Sequence, residues 1–419
     1  MSKLPRIRIA LGLAVALASL ASVGPAEAQD EKKSTSDPAE FRTADGVLIK
    51  GAMYPAQPAK PKDRKKAVVI LLHHFDKDKG GSSKKSGGWD ELATALQQDG
   101  FPVLSFDFRG FGDSTGVDKD KFWNTKKNPH NGPGGGLSKK LLAKVAKSGK
   151  TSSISYKDFT TRYYENLLSD VAAARAYLDR LADANPKEMH TASIIVIGAG
   201  DGAAVGAAWM YNESRRRKDT TPPPVVAGFE PAYPRTLDAS PESKDLAAGV
   251  FLSLSPSIGG RKVSSELMGK WTYAVGKRQA IPLAFHHGKG KDQTGDLVRK
   301  KYLLDIKPSG ARGKDGKKEK DDDLKLTGMK TYDTQLVGEG LLDKDLAIPA
   351  IRSYLKDVMD ERGNKERTDK ETGKLRFLYT GTGKEKDAPL VYRGAVRVSK
   401  PFGQDSPFVD TDVVFDRLK

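Results

Sequence analysis

The sequence predicts an α/β fold, a mostly parallel sheet with helices on both faces. Three observations predict it. Runs such as residues 67–72 (AVVILL) and 193–197 (SIIVI) are apolar almost throughout and rich in β-branched residues, as expected of strands buried on both faces. Between such runs lie stretches of helical periodicity, for example residues 89–98 (WDELATALQQ). Strand-like and helix-like stretches alternate along the chain, which is the pattern of crossover connections. A length of 419 residues accommodates one large α/β domain with insertions, or two ordinary domains.

The elements follow in order. Lys3, Arg6 and Arg8 precede an apolar run over residues 9–23, and Ala26-Glu27-Ala28 then has a small-x-small pattern. This predicts a signal peptide over residues 1–28, Gln29 as the mature start, and export to the periplasm or medium of a bacterium. The run falls short of the roughly 20 residues that a membrane span needs. Residues 29–40 are polar and read as a disordered linker. From Phe41 the turn pair Asp45-Gly46 separates two short strand-like runs, a hairpin signal. Strands are expected at 67–72, 103–108, 193–197, 249–254, 281–285 and 329–337. Helices are expected at 89–98, 159–182, 202–217 and 346–361. The α/β domain therefore spans residues 41–362. Stretches 115–155, 218–246 and 307–327 interrupt its rhythm with Gly, Lys and Pro and read as surface insertions. Residues 363–419 read as a small C-terminal β extension.

Composition narrows the chemistry. With no Cys there is no disulfide, thiolate metal site or Cys nucleophile. No spacing of His, Asp or Glu is metal-specific, and neither a metal nor another cofactor is expected. The net charge of +17 comes from Lys-rich loops that also carry Asp and Glu, the mark of a solvated surface. A sharper reading is attraction to an anionic envelope polymer. Nucleic acid is not expected, because the basic stretches lack interleaved aromatic residues.

Residues 71–116 contain LLHHF, a Ser/Gly-rich loop, WDELATAL and then GFPVLSFDFRGFGDSTG. This stretch resembles the N-terminal half of the α/β-hydrolase family, whose second parallel strand runs into D-x-R-G-x-G-x-S. Asp107-Phe108-Arg109-Gly110-Phe111-Gly112-Asp113-Ser114 matches that motif. The resemblance extends coarsely over residues 41–361. It is nearest to dienelactone-hydrolase-like and serine-aminopeptidase-like members.

The resemblance also implies a catalytic site, and here the chain departs from the family. Family chemistry uses G-x-S-x-G at a strand-to-helix turn. This chain has Gly198-Ala199-Gly200-Asp201-Gly202, with Gly200 at the nucleophile position. A register one residue later would make Asp201 the nucleophile. The acid position falls on Asp292, with Asp296 as fallback. The family's catalytic His should follow a later strand, beyond Val337, but the last His of the chain is His287. The oxyanion-hole strand end carries His73, His74 and Phe75, so the amides of Phe75 and Asp201 are the expected oxyanion donors, with His74 beside them. His286 and His287 are candidates for a relocated base, near Ser253, Ser255 or Ser257. Asp107, Arg109 and Asp113 are expected to form scaffold ion pairs rather than act as catalysts, and His73 to bond neighbouring loops. The expected function is that of a pseudo-hydrolase that binds a small molecule or a partner. The alternatives are an active ester or acyl hydrolase with a relocated or Asp-based nucleophile, and a basic protein that binds envelope polymer.

Overall fold

The computed structural model describes most of residues 35–362, without 44, 59–64, 66, 85–86, 125–135, 185–187, 190, 192, 216, 220–236, 242–244, 291–293 and 308–324. Beyond them it describes 377–379, 390–392, 397–398, 409 and 411–417. The expected signal peptide and Asp292 lie outside the described residues.

Eight strands form the central sheet: β1 (Asp37–Arg42), β2 (Leu48–Tyr54), β3 (Val68–Leu72), β4 (Val103–Phe106), β5 (Ile194–Ala199), β6 (Leu246–Leu252), β7 (Leu283–Gly288) and β8 (Gly328–Tyr332). Their spatial order is β1-β2-β4-β3-β5-β6-β7-β8. β2 runs antiparallel to its neighbours β1 and β4, and every pairing from β4 to β8 is parallel. The fold class is the one the sequence predicts. β1 begins at Asp37, inside the stretch read as disordered, because Asp37 to Arg42 pair in register with Met53 to Leu48.

Alternation along the strands sends side chains to two separate cores. Val68, Ile70, Leu72, Ile194 and Val196 face one side and pack with helices α3 (Leu167–Ala184), α4 (Asp201–Arg215) and α5 (Ser265–Tyr273). Val69, Leu71, Ile195, Ile197 and Leu252 face the other, against α1 (Trp89–Gln98) and α6 (Ile348–Arg362). Period-2 alternation of wholly apolar strands between two helical layers is what a doubly covered sheet requires.

The helix expected over 159–182 forms only from Leu167. Upstream, Ser155 and Asp158 close a capping box on a single 3-10 turn, and a second 3-10 turn spans Tyr163–Asn166. The rings of Phe111, Tyr156, Phe159 and Tyr164 pack together there, with Phe111 stacked on Tyr156 at 5.0 Å. Aromatic burial fixes this segment and overrides its helical periodicity. In the 115–155 insertion a basic helix, α2 (Lys139–Ser148), forms, capped by the Ser138 side chain. The tail reaches the core: Trp271 packs edge-on against Phe415 at 5.4 Å and donates its indole N–H to the Val414 carbonyl at 3.1 Å.

Candidate active site

Catalytic groups of open parallel sheets gather at the carboxyl ends of the strands. The turn from β5 into α4 lies there. Gly200 has φ +53°, a left-handed conformation that a glycine adopts without strain. At Gly202 a Cβ would lie 2.3 Å from the His73 carbonyl oxygen, so only glycine allows α4 to approach β3 this closely. The elbow geometry is therefore present without its nucleophile.

The space a side chain at position 200 would need is filled. An added Cβ would stand 2.4 Å from His74 Nδ1. That same nitrogen accepts a hydrogen bond from the Asp201 amide at 3.3 Å. The amide expected as an oxyanion donor is therefore turned onto an imidazole of its own chain. Phe75, the other expected donor, places its ring in the aromatic cluster, stacked on Tyr164 at 5.8 Å.

The loop after β8 closes the site from the other side. A Cβ on Gly338 would lie 3.8 Å from the Gly200 nitrogen, so this loop reaches the elbow where the resemblance places the catalytic His. It brings Glu339 instead. The Glu339 carboxylate accepts from the His74 amide and, at 2.8 Å, from the Trp89 indole N–H. Gly338 donates its amide to Ser253 Oγ at 2.8 Å. Sequence reasoning did not single out Glu339 or Trp89. The signal was the Gly338-Glu339-Gly340 stretch at the expected His position.

Asp201 is engaged by residues of the loop after β6. Its carboxylate accepts from the Gly259 amide at 2.7 Å and from Ser257 Oγ at 3.3 Å. Burial raises its pKa above the ordinary carboxylate value, opposed by hydrogen bonds from Ser255, Gly259 and Ser257. These bonds tie α4 to the loop after β6, a structural use of the carboxylate.

The remaining histidines are dispersed. His73 Nε2 accepts the Phe108 amide at 3.2 Å, while Nδ1 lies 2.7 Å from the His74 carbonyl and so carries the proton. Burial lowers its pKa. His286 Nδ1 pairs with the Tyr332 hydroxyl at 2.8 Å, and His287 Nδ1 with Thr294 Oγ1 at 3.3 Å. The Ser253–His286 contact is between backbones, Ser253 N–H donating to the His286 carbonyl at 2.8 Å. The structure thus does not join Ser253 and the His286 side chain into a nucleophile–base pair. Among the described residues no group of three or more His, Asp or Glu is placed to hold a metal ion.

His286 carries a measurable consequence. Burial, together with His287 and Lys330, pushes its pKa down to about 3. The unfolded chain takes up this proton below an ordinary His pKa of about 6.5, whereas the folded chain resists until about 3. Stability from this group is therefore complete above pH 6.5 and is lost as pH falls toward 3. Between pH 7.5 and 5.0 the loss is about 2 kcal/mol. Urea unfolding of wild type and His286→Gln at both pH values should show the pH difference shrinking by that amount in the variant; an unchanged difference would contradict this assignment.

In the D-x-R-G-x-G-x-S segment Arg109 and Asp113 form the expected ion pairs, Asp113 with Lys84 at 3.0 Å, whereas Asp107 instead collects hydrogen bonds. Asp107 accepts from the Ser83 amide (2.7 Å), the Ser83 hydroxyl (2.9 Å), the Ser82 hydroxyl (3.0 Å) and the Asp113 amide (2.9 Å). Ser114 Oγ accepts from the Lys50 amide at 2.8 Å, and Arg109 joins two buried carboxylates, Asp45 and Asp170.

No family model and no curated protein sequence matches the chain. Solved structures similar to it include an esterase from Pyrococcus furiosus, at 14% identity over 78% of this chain and 91% of that one, with a TM-score of 0.44. A serine hydrolase without lid from Xanthomonas campestris is 12% identical over 80% of this chain and 98% of its own, with a TM-score of 0.42. A fungal esterase from Rhizomucor miehei is 10% identical over 79% and 86%, also at 0.42. The strand order, the single antiparallel β2, the two helical layers and the glycine-flanked turn after β5 place this chain in the α/β-hydrolase fold.

Proposed function

We propose that this chain is an exported, non-catalytic α/β-hydrolase-fold protein that acts by binding a small molecule or a partner. One observation carries the reading: the His74 imidazole occupies the volume of the missing nucleophile and takes the Asp201 amide that would stabilise an oxyanion. Acyl transfer needs a nucleophile, a base within hydrogen-bond reach and free oxyanion donors together. Here position 200 has no side chain, Glu339 stands where the family's His would come, and the Asp201 amide, one of the two expected donors, is engaged. Export rests on the amino-terminal pattern of residues 1–28 alone.

The test is a panel of short- and long-chain p-nitrophenyl esters together with a fluorophosphonate probe, applied to protein recovered after secretion. We expect no turnover above buffer and no labelling. Stoichiometric labelling of any Ser would overturn the reading. Turnover lost in Asp201→Asn or His286→Ala would establish a relocated hydrolase instead. An amino terminus other than Gln29 on the secreted protein would remove the cleavage assignment.

A further inference from the structure

We propose that a cleft far in sequence from the elbow, between helix 139–148 and residues 151–158, binds phosphate-bearing anions, and linked phosphates in particular. The cleft has a volume of about 550 Å3. Lys140 and Lys144 line one side and Lys157 another, with five Ser and Thr side chains among the lining residues. Among the described residues no aromatic ring lines it, so these residues offer no stacking platform for a base. Ammonium groups as point charges, with hydroxyls beside them, suit a tetrahedral oxyanion.

Among the described residues no ion pair compensates the charge of the helix. The helix reads KKLLAKVAKS, four lysines and no acid. Its apolar side is committed to the core through buried Leu141, with Leu142 and Val145 packed alongside. Lys140 and Lys144 stand one turn apart, about 6 Å along the axis, where like charges repel. Neither they nor Lys157 forms an ion pair among the described residues; Lys157 Nζ lies 5.8 Å from the Tyr156 ring centroid. Asp158, the one carboxylate among the described lining residues, is held by the Ser155 amide at 3.1 Å in the capping box.

The cleft is also held in shape. Ile154 donates to the Thr115 carbonyl and Val117 to the Ser152 carbonyl, both at 2.9 Å, which ties the two ends of the insertion together. Two lysines one turn apart favour a ligand with successive negative groups over a single one. This inference is independent of whether the elbow is catalytic.

The experiment is calorimetric titration of the full chain with inorganic orthophosphate, tripolyphosphate and long-chain polyphosphate at 50 and 200 mM NaCl. Tripolyphosphate should bind at least tenfold more tightly than orthophosphate. Lys140→Gln/Lys144→Gln should weaken it at least tenfold and lower the salt slope by about 1 per lysine removed. Lys140→Arg/Lys144→Arg should retain binding. Lys262→Gln/Lys356→Gln, which removes the same charge elsewhere, should leave it unchanged. All four substituted positions are exposed, so each variant should keep its thermal midpoint. Tighter binding of long-chain polyphosphate than of tripolyphosphate identifies a polymer as the ligand; equal affinity identifies a small phosphate compound. No binding at millimolar tripolyphosphate, equal weakening by the control variant, or tighter binding of a single-stranded oligonucleotide would overturn the proposal.

Discussion

Gly200→Ser leaves the protein without ester turnover and lowers its stability by about 1–3 kcal/mol. Two costs combine. A non-glycine residue at φ +53° is strained, and its Cβ would meet His74 Nδ1 at 2.4 Å. The imidazole cannot retreat freely, because its backbone amide is held by Glu339 and its Nδ1 by the Asp201 amide. A hydroxyl there also lacks the family's His on the approaching loop, which carries Gly338 and Glu339, and the nearby His74 Nδ1 already accepts the Asp201 amide. Guanidinium unfolding and the ester panel measure both effects. In a His74→Gly background the same serine should be better tolerated, by at least about 1 kcal/mol of coupling in a double-mutant cycle. Additive stability effects would mean that His74 is not what fills the site. Turnover from Gly200→Ser alone would mean that His74 or Glu339 serves as the base.

Arg109→Ala should destabilise the protein by about 3–5 kcal/mol, the cost of leaving buried carboxylates without their partner. Arg109 is fully buried. Its Nη1 lies 2.7 Å from Asp45 Oδ2 and its Nε 2.7 Å from Asp170 Oδ1, and its backbone amide also donates to Asp170 at 3.0 Å. Burial and two neighbouring carboxylates have opposite effects here. Arg109 holds the Asp45 carboxyl below its ordinary value, whereas burial lifts Asp170 to about 6. Arg109→Lys should recover only part of the loss, because an ammonium cannot present the guanidinium fork to two carboxylates at once. Urea unfolding at pH 7 decides it. A loss below about 1 kcal/mol would show that water reaches the carboxylates and that the pair behaves as a surface one.

The strands were legible because burial on both faces leaves a purely apolar run, as in Val68–Leu72 and Ile194–Ala199. Arg109 and Asp107 were legible as scaffold because their motif sits in a strand–loop context that the resemblance supplies. The helix start at Leu167 was not, since Phe159 and Tyr163 satisfy a helical period while packing as a ring pair 4.2 Å apart. Nor was the docking of Phe415 onto Trp271, a contact between residues that no local pattern relates.

At the site, the sequence alone determined what is missing. Counting is sufficient: Gly200 has no side chain, and no His follows His287. The occupant of the vacated space required the tertiary structure. His74 meets the Asp201 amide across 127 residues of sequence and Glu339 across 265. These three come together only because β3 and β5 are parallel neighbours and the loop after β8 returns over their ends. An absence is a property of the chain and can be read from it. What fills a space depends on which side chains long-range packing brings to it, and close-packed interiors leave that choice to the fold.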